Sequence, residues 1–266
     1  MHYSNMEESV KQEVAKGVSQ IGNKTYDDAL RPVLQSVGGT LGNIVDFLGV
    51  ATMPLKFWSE KVRLNFALRL KQYKEKLESV PEEKRCEVLP EIGIPALQAL
   101  PYTTNDDVAD LFTNLLKNAS NIDMVQYAHP SFTEIIKRLS PDEARIVKFL
   151  KGRNFVCYSD FNGNAKNGDG FNTILSHVTL ITKEVELNYP SNENAYMSNL
   201  MSLGIIYDQN TLHKIDYTDY DKIKDMINLE DIQEQYVPDV FKSITQDNHF
   251  YDVTDFGKLF INACVK

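Results

Sequence analysis

Large apolar residues recur at helical spacing from Val108 onward: Val108, Leu111, Phe112, Leu115, Leu116 and Ala119 form one stripe. That i, i+3, i+4, i+7 pattern puts every bulky group on one face of an α-helix. Phe132, Ile135, Ile136 and Leu139 repeat it. A third helix then opens at Ser140-Pro141-Asp142-Glu143. Ser140 suits the cap, Pro141 the first helical position, and Glu143 the return arm of a capping box. The stretch from Thr103 to Leu150 therefore predicts three capped helices joined by short turns.

On the amino-terminal side, Val10, Val14, Val18 and Ile21 predict an amphipathic helix over Glu7 to Ile21. From Tyr26 to Phe57 the chain turns weakly polar, with Gly38, Gly39, Gly42 and Gly49 among Val, Leu, Ile and Phe. A membrane span needs about 20 mostly apolar residues, and Gln35, Asn43, Asp46 and Pro54 interrupt this run. Two readings stay open: small residues that let helices pack closely, or a hairpin that inserts into or lies on a membrane. Next, Leu55, Trp58, Val62, Phe66, Leu70, Tyr73 and Leu77 mark a long helix whose other faces carry Lys56, Lys61, Arg63, Arg69, Lys71, Lys74 and Lys76. This is the clearest basic patch. Lys56, Trp58, Lys61, Arg63, Arg69 and Lys71 are its candidate contact residues, on a face that is either simply solvated or meets an anionic partner. A short helix is expected from Pro95, over Ala96 to Leu100.

Beyond Leu150 the pattern changes. Gly152 ends the third helix, Asn154 to Tyr158 has strand character, and Asn162 to Gly170 reads as a turn-rich loop. Ile174 to Leu187 fits strand or helix. Asn192 to Leu203 predicts a helix ending at Gly204, with Ile205-Ile206-Tyr207 after it, and His249 to Val265 a strand leading into a helix capped by Thr254. The fold class expected is mainly α: a helical amino-terminal region over residues 1–139, and a winged-helix-like α+β domain over residues 140–266.

Composition narrows function by exclusion. The 266 residues are 42% hydrophobic, enough for folded cores. With 28 basic against 37 acidic residues the formal charge is −9, which argues against coating nucleic acid or anionic membrane. Cys86, Cys157 and Cys264 fit reduced thiols in a cytoplasm better than a disulfide framework. Residues 140–266 carry 12 basic and 19 acidic groups, and Asn192 to Leu203 has no Lys or Arg, so sequence-specific DNA binding is disfavoured. The loop from Asp160 fails as a calcium loop at Ala165 and Phe171. The five histidines lie too far apart in sequence for a zinc motif. No catalytic residue, metal site or cofactor is expected.

Several segments taken together resemble the abortive infection alpha family of bacterial phage-defence proteins. They are Tyr26 to Pro32 with the glycine run, Met53-Pro54-Leu55 and Trp58, Val80-Pro81, Pro90 through Pro95, Asp107 to Ala119, and His129-Pro130-Ser131-Phe132. Leu139 to Ala144, Leu200 to Ile206 and Thr254-Asp255-Phe256-Gly257 complete the likeness. The resemblance implies a bacterial or prophage-encoded cytoplasmic protein that defends against phage by arresting or killing the infected cell, and the expectation is that it is not an enzyme. It brings no catalytic residues. An unidentified protein partner is expected; a peripheral membrane contact and a homo-oligomer stay open. The alternative is a winged-helix nucleic-acid-binding regulator acting through the basic helix.

Overall fold

A computed structural model describes residues 39–41, 59–166, 170–227, 229, 232, 234 and 241–266. The expectations for the Glu7 to Ile21 helix, for Gly38, Gly42 and Gly49, and for Lys56 and Trp58 lie outside these residues. The chain divides into two units, Met1–Ala144 with Asn262–Lys266, and Arg145–Ile261.

In the helical unit, α1 (Glu60–Glu78) starts at Ser59, whose hydroxyl accepts from the Val62 N–H. It buries Phe66, Leu70, Tyr73 and Leu77, the face the apolar spacing predicts. The Tyr73 hydroxyl meets Thr40 Oγ1 at 2.9 Å and Ser120 Oγ at 2.6 Å. The fully buried Leu41 and Thr40 are thereby tied into this core. Helix α2 (Pro90–Ala99) begins five residues earlier than the sequence suggests and contains Pro95. Pro90 suits the first helical position as well as Pro95 does, and the bond Pro95 omits would go to the carbonyl of the exposed Glu91.

Helix α3 (Asp106–Ala119) is capped by Asn105, whose side chain accepts from the Val108 N–H, and it buries Leu111, Phe112, Leu115 and Leu116. Helices α4 (Phe132–Lys137) and α5 (Pro141–Phe149) follow. Both arms of the capping box are made: the Ser140 N–H donates to Glu143 Oε2 at 2.6 Å, and the Glu143 N–H to Ser140 Oγ at 3.3 Å. The asparagines of α3 serve the chain's last turn. Asn114 Nδ2 donates to the Cys264 carbonyl at 3.0 Å and Asn118 Nδ2 to that of Ala263 at 2.8 Å, occupying acceptors that a helix end leaves orphaned.

The second unit is built on a sheet. Strands β1 (Phe155–Ala165) and β2 (Phe171–Thr179) form a hairpin, followed by α6 (Ile181–Glu184) and α7 (Glu193–Ser202). Then come β3 (Ile206–Gln209), α8 (Thr218–Met226), β4 (Phe241–Val253) and α9 (Asp255–Cys264). The order is β2-β1-β4-β3, antiparallel throughout, with Tyr158 opposite His249 and Asp208 opposite Tyr251. One face of β1 packs Cys157 and Phe161 against Tyr220 and Ile223 of α8. Gly152 and Gly204 adopt φ of +76° and +73° and end their helices. Thr254 caps α9 through the Gly257 N–H at 2.8 Å.

This sheet overturns the expectation of a mainly α protein with a winged-helix-like carboxy-terminal domain. Strands of 11, 9, 4 and 13 residues make the chain a helical unit plus a sheet unit. The reason lies in polar strand residues that satisfy one another across the ladder. Asn162, expected in a loop, donates through Nδ2 to Asp247 Oδ2 and accepts from Thr173 Oγ1, both at 2.7 Å. Such a strand shows no apolar alternation. The open segment from Ile174 resolves into the end of β2 and then α6.

Candidate functional site

The structure divides the predicted basic face. Arg69 does not belong to a contact surface: it is 1% exposed. Its Nε donates to the Thr103 carbonyl, Nη1 to Gln72 Oε1 and Asp106 Oδ1, and Nη2 to the Thr104 carbonyl. Lys76 bonds Asp110 and Thr113. Arg63 is half-buried, while Lys71 is exposed and faces Glu75 one turn on. Lys61 is exposed; with Arg69 and Tyr102 it lines one cavity of about 320 Å³, which Arg63 and Lys71 do not reach. Gly39 is helical and exposed, with open space where a Cβ would stand.

The sheet unit shows a surface that periodicity does not reveal. Along the run from β3 into α8, Tyr207 is 59% exposed, Leu212 54%, Ile215 96% and Tyr217 45%. These are large apolar groups, yet the segment is held firmly from beneath. The Lys214 ammonium lies 3.5 Å from the Phe250 ring centroid, 4.3 Å from that of Phe155, and 3.5 Å from Asp252 Oδ1. The Lys214 N–H donates to the Tyr220 hydroxyl at 3.1 Å, and that hydroxyl donates to the His249 carbonyl at 3.0 Å. Asp216 accepts from the N–H and hydroxyl of Thr218, which hold its carboxyl below the ordinary range. An ordered loop that turns its apolar side chains outward is the usual form of a contact surface. Only Tyr207 of these residues borders an apolar run in sequence, so the signal would have been large apolar residues scattered among polar ones.

The opposite face of the sheet carries a tight titratable cluster. The buried Tyr158 ring stacks on Tyr251 at 4.6 Å and on His177 at 4.8 Å, and its hydroxyl donates to Asp208 at 2.7 Å. Burial, then the Asp208 hydrogen bond, keeps the Tyr158 phenol protonated far above neutral pH. Burial and the charges of Asp208, Asp160 and Glu193 do the same for Tyr251. His177 has φ of +56°, rare for a residue with a side chain. A register shift in the β1–β2 pairing places it there, and its N–H donates to Asp160 Oδ1 at 2.6 Å. The imidazole and Asp160 stand 3.8 Å apart, beyond a hydrogen bond. Thr179 donates to Glu193, whose carboxyl burial pushes up. As acid–base machinery the cluster is poor, since its phenols are held protonated; as a pin through the sheet it is well made.

Burial also raises the three thiols, Cys264 most, so none is an activated nucleophile. Among the described residues no group of three or more His, Cys, Asp and Glu is placed to hold a metal, and no helix is long and apolar enough to cross a membrane.

Against known proteins, no curated protein matches the chain. Among solved structures it is similar to an uncharacterized protein from the hydrocarbon-degrading marine bacterium Alcanivorax borkumensis SK2, at 11% identity over 53% of this chain and 94% of that one. The TM-score of 0.33 is too low for that likeness to support fold or function. The family model described as abortive infection alpha matches residues 62–264, through both units and most of the chain. The protein belongs to the abortive infection alpha family, and its role is in abortive infection, the defence against phage.

Proposed function

We propose that the protein acts in phage defence by binding another protein through the Tyr207–Tyr217 surface of its sheet unit, without a chemical step of its own. The observation that carries this reading is the pinned loop with Ile215 almost fully exposed. Charge favours a protein over a membrane. Residues 145–261 hold 11 basic and 17 acidic groups, and anionic lipid repels such a balance. Leu212, Ile215 and the two tyrosine rings supply the apolar centre, and the surrounding acids a polar rim.

The test is protection of a phage-challenged culture expressing the wild type, Ile215→Asp, or Leu212→Asp. Both side chains are exposed, so each variant is expected to melt with the wild type while losing protection. Full protection by both folded variants would remove the reading. Flotation with anionic vesicles separates the membrane version: wild-type protein rising with the vesicles, and Ile215→Asp failing to rise, would replace protein contact by lipid contact.

A further inference from the structure

The sheet of the second unit has two edges, and they are finished differently. Its order β2-β1-β4-β3 puts β2 at one edge and β3 at the other. Natural sheets blunt their edges with irregular pairing and covering groups, and β2 is built so. Its register with β1 shifts on both sides of Phe161, Asn194 Nδ2 covers the Ser176 carbonyl at 3.1 Å, and His177 leaves the extended region. The other edge is plain. β3 pairs Ile206 to Gln209 with Val253 to Phe250 and stops there, while β4 begins at Phe241. From Phe241 to His249, nine residues and roughly 30 Å, β4 itself is the edge.

The phase of the ladder decides which groups stand on that edge. The Val253 N–H donates to the Asn154 carbonyl, on the β1 side, and the Thr254 N–H to the Ile205 carbonyl, on the β3 side. Main-chain groups of an antiparallel strand alternate between its two neighbours. Counting back in twos, Asp247, Thr245 and Ser243 turn theirs to β1, and Asn248, Gln246 and Ile244 turn theirs outward. Those three N–H and three C=O groups have no hydrogen-bond partner among the described residues. The side chains leave the edge clear. Gln246 donates to Ser159 Oγ and the Tyr220 carbonyl, Asn248 accepts from Ser159, and Ile244 packs toward the core under α8. Asp247 is turned onto its own sheet, where it accepts from Asn162. Lys242 lies where the register with β1 shifts, between Ser243 and Phe241.

We propose that a second copy of the chain pairs with this edge, β4 against β4, antiparallel about a two-fold axis at Thr245. The open edge is self-complementary in that register. Ile244 meets Gln246 of the copy, outward residue against outward residue, and the two exchange both main-chain bonds on each side of the axis. Phe241, where β4 begins, meets His249, the last position before Gln209, so the copy fills the edge without running into β3. The charged residues Lys242 and Asp247 face Asn248 and Ser243, and Thr245 faces Thr245, so no like charges meet. The edge is neutral in sum, although each chain carries a formal charge of −9. This pairing goes beyond the Tyr207–Tyr217 contact and uses other residues, and no readout of its test depends on phage protection.

Sedimentation velocity of the full chain from about 1 µM to about 1 mM tests it. A single strand pair is smaller than a standard interface, so a dimer dissociating on the order of 10–100 µM is expected. Residue-resolved amide exchange at the two ends of that range reads the edge directly. The Ile244 and Gln246 amides should exchange fast when dilute and slowly when concentrated, while those of Thr245 and Asp247, bonded to β1, stay protected at both. Ile244→Pro deletes an outward N–H without touching the β1 ladder and should weaken the dimer roughly tenfold or more, since each copy loses a bond. Thr245 is exposed, so Thr245→Lys and Thr245→Glu fold. Each alone should weaken the dimer, and an equimolar mixture should restore it. A chain that stays monomeric throughout overturns the proposal. So do Ile244 and Gln246 amides that exchange alike at both concentrations, or a mixture that associates no better than either variant alone. If Ile244→Pro does not fold, the wild-type exchange and the Thr245 pair decide the matter.

Discussion

Replacing Arg69 by Met keeps the apolar stem and deletes the guanidinium, which makes it the sharpest probe of what the basic helix is for. The side chain is 2% exposed and donates four hydrogen bonds to groups of the Thr103–Asp106 segment and Gln72. Severing a fully buried ion pair costs about 3–5 kcal/mol, because the stranded charge cannot be hydrated. Here the Asp106 side chain is 66% exposed and water can take the place of Arg69. The expected loss is therefore smaller, about 2–3 kcal/mol, mostly from the charge-assisted bond and the half-buried Thr103 carbonyl. For a chain of this size that lowers Tm by roughly 5–10 °C. Arg69→Lys should recover only part of it, since an ammonium cannot span Thr103, Thr104, Gln72 and Asp106 together. Lys71→Ala removes a solvated charge facing Glu75 at 3.8 Å and should shift stability by less than about 0.5 kcal/mol. Calorimetry on the three variants is the assay. If Arg69→Met melts within about 1 °C of wild type, or no lower than Lys71→Ala, Arg69 is not the pin described above.

Glu193 is partly buried, and that burial raises its carboxyl pKa. In the pH window above about 4.3, the usual Glu value, the folded state then holds more protons than the unfolded one. Stability should fall as pH rises through that window and level off above the folded pKa. Glu193→Gln keeps a partner for Thr179 and should flatten this slope in melting curves from pH 4.5 to 8; an unchanged slope would exclude Glu193 as its source. Gly257→Ala places a methyl group against the Ile205 carbonyl, where α9 starts beside β3. A loss of about 1–3 kcal/mol in urea unfolding is expected, and wild-type stability would mean the helix start yields.

Local chemistry was legible from the chain alone wherever a partner lies within four residues. The Ser140–Glu143 box, the Thr254 cap and the helix-ending Gly152 and Gly204 all follow from spacing. So does the buried stripe of α1, since a 3.6-residue period sorts apolar from polar without reference to the rest of the fold. The long-range decisions were not legible. Arg69 and Lys71 look alike in sequence, and only the return of the chain at Thr103–Asp106, more than 30 residues later, buries one and leaves the other in water. The β1–β4 ladder joins Asn162 to Asp247 across 85 residues, and polar residues paired at that distance carry no local mark of a strand. The exposed Ile215 follows the same rule in reverse. Its composition belongs to a core, and it faces solvent because Lys214 beside it is anchored to Phe250 and Asp252. Periodicity reports which residues share a face; what covers that face is set by segments distant in the chain, and at Ile215 the described fold leaves it open.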